Sequence, residues 1–220
     1  MHNLSKHTAV IFDVDGVLVD SVPYHFDAWK KTFKLFDISL SFADYQNYLN
    51  GVPRNEGIRR VLQAKKIKDD ELLQIIAVAK QKRYLMSVKN NPPKPLPGVV
   101  PLLMYLKKHH IRTAAASSSK NARLLLSVTH LTDYFTAIVD GNDFIHPKPD
   151  PDIFLTAAKR LSVASKECIV IEDAVVGAQA ACAMKAYVVG LLTSGETEIA
   201  SHCQLTLLSL RSYRKILKLV

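Results

Sequence analysis

The sequence predicts an α/β protein: a doubly wound parallel sheet with a helical unit inserted after its first strand. Three observations predict it. Ala9-Val10-Ile11-Phe12 is an apolar run that ends abruptly in Asp13-Val14-Asp15-Gly16. It reads as a short strand, buried on both faces, that empties into a loop. From Arg112 onward, short apolar runs alternate with helical patterns, as βαβ units require. Between these regions, from Ser21 to about Val88, apolar residues recur at three- and four-residue spacing and no strand pattern interrupts them.

Each element follows from its own residues. Strand 9–12 comes first, and Gly16 permits a tight turn beyond it. Phe26, Trp29, Phe33 and Phe36 mark the first inserted helix, and further helices are expected at 42–49, 54–64 and 69–87, the last capped by Asp69 or Asp70. The proline-rich stretch 90–98 is a return linker. A helix at 99–109 leads to a strand at 112–116, which ends in Ser117-Ser118-Ser119-Lys120-Asn121. A helix at 122–129, a short strand at 137–139 and a loop to Lys148 follow. Pro151 suits the first turn of a helix at 152–161. A strand at 168–171 ends in Glu172-Asp173, a small-residue helix occupies 177–184, and 186–190 is the final strand expected. The tail reads as an amphipathic helix, with Arg211, Arg214, Lys215 and Lys218 opposite Leu210, Ile216, Leu217 and Leu219. The expected domains are a core of residues 1–20 and 90–220 and a four-helix unit of residues 21–89.

Composition narrows the class of partner. The chain has 220 residues, 48% of them hydrophobic, which allows a large core with a smaller insert. No apolar run approaches the roughly 20 residues of a membrane span, and Met1–His7 has no apolar signal-peptide core. Cys168, Cys182 and Cys203 form neither a C-x-x-C pair nor a zinc spacing, which suits a reducing compartment. A cytoplasmic protein with no membrane partner is expected. The net charge of +9 is spread along the chain without a nucleic-acid motif, so a solvated basic surface is expected and no nucleic-acid partner.

The strand ends carry the chemistry. An isolated Asp-x-Asp is most simply a turn. Here Asp13 and Asp15 follow the first strand, Ser117 to Ser119 the second, Lys148 the third, and Glu172 and Asp173 the fourth. In an open α/β sheet these positions share the edge where ligands bind. Crowded carboxylates invite a hard cation such as Mg²⁺, and one of them can attack phosphorus while the other handles a proton. Asp13 and Asp173, with Glu172 nearby, suit the metal. Lys148 suits phosphoryl oxygens, and Ser117 with the N–H groups after it suits a phosphate cradle. Taken singly, the serines suit a helix cap, Lys148 a solvated loop, and Glu172-Asp173 the start of a helix.

Asp13-Val14-Asp15-Gly16-Val17, Ser117, Lys148-Pro149 and Glu172-Asp173, in that order, resemble the haloacid dehalogenase superfamily of phosphotransferases. The helical insert resembles that superfamily's four-helix cap, and the sheet its Rossmann-like core. The segment from Tyr24 to Lys30, Gly51-Val52-Pro53-Arg54, the segment from Ser117 to Asn121 and Pro151-Asp152-Ile153-Phe154 are similar to its β-phosphoglucomutase-like branch. The resemblance implies Asp13 as nucleophile and Asp15 as acid/base. It implies Mg²⁺ held by Asp13, the Asp15 backbone carbonyl and Asp173, with Glu172 in support. Ser117, Ser118 and Lys148 would bind phosphate. His25, Trp29, Gly51, Arg54, Lys82, Ser119, Lys120 and Asn121 would bind the sugar phosphate.

The implied reaction is conversion of β-glucose 1-phosphate to glucose 6-phosphate. A monomer is expected, since the cap surface suggests no obligate partner. A sugar-phosphate phosphatase and a catalytically idle phosphate-binding module are the alternatives. Asn50 stands where the mutase pattern has lysine, which removes one positive charge from the cap; Pro53 and Ala174 stand where it has serines.

Overall fold

The computed structural model describes residues 7–50, 52–192 and 197–220. They form two compact units: the segment ending at Asp20 together with Pro93–Val220, and Ser21–Pro92.

The larger unit is built on a parallel sheet. Its strands are β1 (Ala9–Phe12), β2 (Arg112–Ala116), β3 (Ala137–Val139), β4 (Cys168–Glu172), β5 (Tyr187–Leu191) and β6 (Leu205–Leu207), in the order β3-β2-β1-β4-β5-β6. β1 lies between β2 and β4 and all four of its residues are fully buried, which is why it carries no polar residue. The strands are in flush register. Phe12 pairs with Ala115 on one side and with Ile171 on the other. One residue further, β1 and β4 turn polar at Asp13 and Glu172, and β2 does so at Ser117, one residue later, at the same edge. The strand order reverses between β1 and β4, so this edge is also the topological switch point, where α/β sheets bind ligands.

Helices cover the sheet, and the inserted unit is all helix. The inserted helices are α1 (Val22–Lys34), α2 (Phe42–Tyr48), α3 (Arg54–Ala64) and α4 (Asp70–Asn90). The core unit adds α5 (Val99–Lys108), α6 (Ala122–Val128), α7 (Asp152–Leu161) and α8 (Val175–Ala183). In the inserted unit Phe33, Ile58, Val61 and Ile76 are fully buried. Ser41 and Asp44 form a capping box on α2, and the Asp69 side chain accepts from the Leu72 N–H to cap α4. The linker returns to the core where the Leu96 N–H donates to the Leu18 carbonyl.

Two expectations need correction. The strand at 186–190 is not the last, because Leu205–Leu207 adds an edge strand beside β5. Three residues are too few to establish a period of two. The tail is also not an α-helix. Leu210–Lys218 is 3₁₀-helical with a break at Ser212, and only Leu210 and Ile216 are buried. All three cysteines are free, Cys168 within β4 as a core residue. No helix among the described residues is long and apolar enough to cross a membrane.

A clasp of charges fastens the loop after β3. Asp143 accepts from Arg160 at 2.7 Å, from Arg123 at 3.0 Å and from the Asp140 N–H at 2.9 Å. Both arginines also donate to the Ile138 carbonyl. The Arg160 hydrogen bond, with those of Asp140 and Arg123, holds Asp143 well below the usual carboxylate range. A depressed acid stabilises the fold above its unfolded pKa and loses that contribution as pH falls through the folded value. Asp143→Asn should therefore cost about 1 kcal/mol at pH 7, the modest figure expected of a partly exposed cluster. That difference should shrink below pH 4. Urea melts of both proteins at pH 7 and pH 3.5 check it, and a difference that grows in acid would be the contrary result.

Candidate active site

The loop after β1 is shaped by one glycine. Gly16 has φ of +86°, and a Cβ there would lie 2.1 Å from Asp173 Oδ2. Only glycine takes this backbone cheaply and leaves room for the Asp173 carboxylate. The turn closes through Gly16 N–H to the Val19 carbonyl, and Val14, Val17, Leu18 and Val19 are fully buried behind it. Asp13 is fixed by its own N–H, which donates to the Ile171 carbonyl at 2.9 Å.

Lys148 joins the ends of β1 and β4. Its Nζ donates to Asp13 Oδ1 at 2.6 Å and to Glu172 Oε1 at 2.5 Å, and its side chain is 8% exposed. The ammonium also lies over Phe154, 4.9 Å from the ring centroid. An ammonium has three N–H donors, so one beyond these two bonds is available to a phosphoryl oxygen. Glu172 has both oxygens engaged: Oε2 accepts from the N–H groups of Asp173 at 2.8 Å and Ala174 at 2.9 Å. Gly177 makes this possible, because a Cβ there would lie 1.7 Å from Glu172 Oε1. Glu172 thus both ties down the turn before α8 and anchors Lys148.

The second acid is held by the serine loop. Ser117 Oγ donates to Asp15 Oδ2 at 2.9 Å and accepts from the Ser119 N–H at 3.0 Å. Ser119 Oγ accepts from the Asn121 N–H, and its carbonyl accepts from Gly141, which ties this loop to the one after β3. Ser117 and Asn121 are buried, whereas Ser118 and Lys120 are exposed on the loop.

The electrostatics are short of positive charge. Burial raises Asp13 above the carboxylate range; Lys148 pulls it back, and Glu172 and Asp15 push it up again. Burial likewise raises Asp173, with Glu172 and Asp13 adding to the shift. Burial alone would lower the Lys148 ammonium, but Asp13 and Glu172 outweigh it and hold it above its usual value. The buried Asp13 and Asp173 carboxylates offer only oxygen donors, which suits a hard divalent cation. Among the described residues, no three His, Cys, Asp or Glu side chains form a closed cage. Mg²⁺ accepts such a sparse set, since it keeps several waters.

The inserted unit holds its own polar cluster. Lys80 is 3% exposed, its Nζ 3.0 Å from His25 Nδ1 and over the rings of Trp29 and Tyr84. Trp29 is buried and stacks on Phe33, so it belongs to the helical core. Arg54 donates to Gln81 Oε1, and burial lowers its guanidinium below the usual arginine value. Asn50 accepts from the Tyr45 hydroxyl and donates to Gln46. Lys82 is exposed, and Gly51 lies outside the described residues.

The lysine brought to His25 is therefore Lys80, which the sequence reading passed over. A signal for it was present: Leu73, Ile76, Ala77, Lys80, Tyr84 and Val88 form one buried stripe at helical spacing, with a cation in its middle.

A family model of haloacid dehalogenase-like hydrolases matches residues 7–185. The chain belongs to that family. It is 37% identical over 187 residues to a β-phosphoglucomutase of Bacillus subtilis, a match covering 83% of this chain and 82% of that one. It is 32% identical to a phosphorylated carbohydrates phosphatase of Thermotoga maritima, covering 79% of each. The crystal structure of a β-phosphoglucomutase from Clostridium difficile superposes with a TM-score of 0.85 at 31% identity, covering 96% of both chains. The protein is an enzyme of the phosphotransferase and phosphatase class, on the α/β fold with a helical insert that the sequence predicted.

Proposed function

We propose that this enzyme transfers a phosphoryl group on a sugar phosphate through an aspartyl-phosphate at Asp13, and that it acts as a β-phosphoglucomutase. The observation that carries the chemistry is the pairing of Lys148 with only one Asp13 oxygen, which leaves the other to attack. Asp13 Oδ2 bonds to phosphorus as the P–O bond to the sugar breaks, and Asp15 gives its proton to the departing oxygen. In the second half, Asp15 takes the proton of the accepting hydroxyl, and the phosphoryl group leaves Asp13. The third Lys148 N–H holds a phosphoryl oxygen, and the Ser117 hydroxyl can do so by turning its one hydrogen away from Asp15.

Asp13, the Asp15 carbonyl and Asp173 would hold Mg²⁺, with Glu172 fixing Lys148 beside them. When bound, Mg²⁺ supplies charge neutralisation for the transferring group. Residues 21–89 act as a cap domain to the core of residues 1–20 and 90–220. Arg54 and Lys80 give the cap cationic groups suited to the sugar's other phosphate, with His25 beside Lys80, and the chain works as a monomer on a small-molecule substrate.

The mutase reading draws on identity to the Bacillus subtilis enzyme. A phosphatase reading is favoured by one feature: Asn50 sits in a neutral network with Tyr45 and Gln46 where the mutase pattern has a lysine. Weaker grip on the intermediate's second phosphate would let water accept the phosphoryl group. Incubation with β-glucose 1-phosphate and a trace of glucose 1,6-bisphosphate separates the two. Glucose 6-phosphate as main product is expected. Free phosphate without glucose 6-phosphate would establish the phosphatase instead.

A further inference from the structure

The inserted unit contains a cavity that the proposed chemistry does not use. It has a volume of about 740 Å³ and lies where α3 ends, the chain turns, and α4 begins. Its floor is apolar: Leu62 and Leu73 are buried, and Ile67 is half-buried between them. Its rim is basic. Arg59, Lys66 and Lys68 line it and are exposed. Lys66 and Lys68 make no ion pair among the described residues, and Arg59 has only a 3.8 Å contact with half-buried Glu56. Among the described lining residues the one acid is Asp69, whose carboxylate already accepts from the Leu72 N–H as the α4 cap.

Arg54 opens α3, whereas the cavity sits at the helix's other end. Its lining begins at Arg59 and runs past the helix's end; at 1.5 Å per residue Leu62 and Gln63 lie about 12 to 14 Å along the axis from Arg54, and neither Arg54 nor Lys80 lines it. The cavity is therefore not part of the Arg54 and Lys80 cluster.

We propose that this cavity binds a small amphipathic organic anion, one with an apolar body and a single phosphate, sulfonate or carboxylate head. The apolar floor takes the body. The Lys66 and Lys68 ammoniums take the head, and their flexible stems suit a range of head groups. The volume is that of an ordinary small-molecule pocket. A fully polar sugar phosphate would leave the floor wet and is not the ligand.

The probe is 8-anilinonaphthalene-1-sulfonate, which has this shape and charge. It is titrated into the full-length protein by fluorescence and by calorimetry. One site per chain is expected, with affinity at least tenfold weaker in the double variant Lys66→Glu/Lys68→Glu and intermediate in Lys66→Gln/Lys68→Gln. Asp13→Asn should bind the probe as wild type does. Thermal melts confirm that each variant is folded, and turnover should be unchanged in the lysine variants.

Unsaturable binding, or equal affinity in the charge-reversed variant, would overturn the proposal. So would loss of the probe in Asp13→Asn, which would place it at the catalytic loop. A parallel arm uses vesicles with anionic lipid. Pelleting with vesicles while the free probe does not bind would mean a membrane-facing surface, and would also overturn it.

Discussion

Asp13→Asn is expected to lower turnover of an aryl phosphate by a factor on the order of 10⁴ or more while leaving the protein as stable as the wild type. The amide has nearly the same shape, and its oxygen can still accept from Lys148. It cannot bond to phosphorus, so the covalent route closes. Stability should hold because the Asp13 carboxylate is held above its usual range, chiefly by burial, so its charged form is costly in the fold. A neutral amide avoids that cost, and Lys148 keeps Glu172 as a partner. Catalytic groups often carry this kind of internal cost.

Two measurements check the variant: Mg²⁺-dependent turnover, and mass spectrometry of acid-quenched protein for a phosphoryl adduct on the peptide bearing Asp13. Residual activity within tenfold of wild type, or an adduct elsewhere, would sink Asp13 as the nucleophile. A wild-type protein inert across a broad panel of sugar phosphates would instead be a phosphate-binding module.

Much of this was legible in the sequence, and the reasons are local. The ends of β1 and β4 could be read because an apolar run stops at an acid, and a buried parallel strand allows few other patterns. Alternation then placed Asp13, Asp15, Ser117, Lys148 and Asp173 at one edge without any contact being known. What could not be read depended on contacts distant in sequence. Glu172 looked like a metal ligand or a cap; that it anchors Lys148 depends on a residue 24 positions away. The clasp of Arg123, Asp143 and Arg160 spans three elements and has no periodic trace. β6 was too short to register, and Lys80 was passed over because a lysine within an apolar stripe is easily taken for a solvated one. Gly177 resembles its small neighbours in α8, and only the position of Glu172 Oε1 makes it irreplaceable.

Lys148→Met is expected to destabilise the protein by about 3 kcal/mol at pH 8, because it strands two buried carboxylates that shared one cation. The loss should be smaller at pH 5, and the sign follows from linkage. Asp13 and Asp173 have folded pKa values above the ordinary carboxylate value. Between those values the folded state holds more protons than the unfolded state, so stability falls as pH rises through that window. Removing Lys148 takes away the charge that lowers both acids, so they rise further and stability keeps falling above about pH 8, where the wild type begins to level off, by up to roughly 1.4 kcal/mol per pH unit for each extra proton held. At pH 5 the acids are protonated in both folded proteins, so the penalty is smallest there. Mg²⁺ competes for the same oxygens as those protons. Millimolar Mg²⁺ should therefore raise the wild-type melting temperature more at pH 8 than at pH 5. Melts of both proteins at the two pH values, with and without the cation, test the argument. A Lys148→Met penalty that is flat with pH would mean that Asp13 and Asp173 are not the groups this lysine neutralises. A Mg²⁺ effect larger at pH 5 would mean that the cation does not bind where they do.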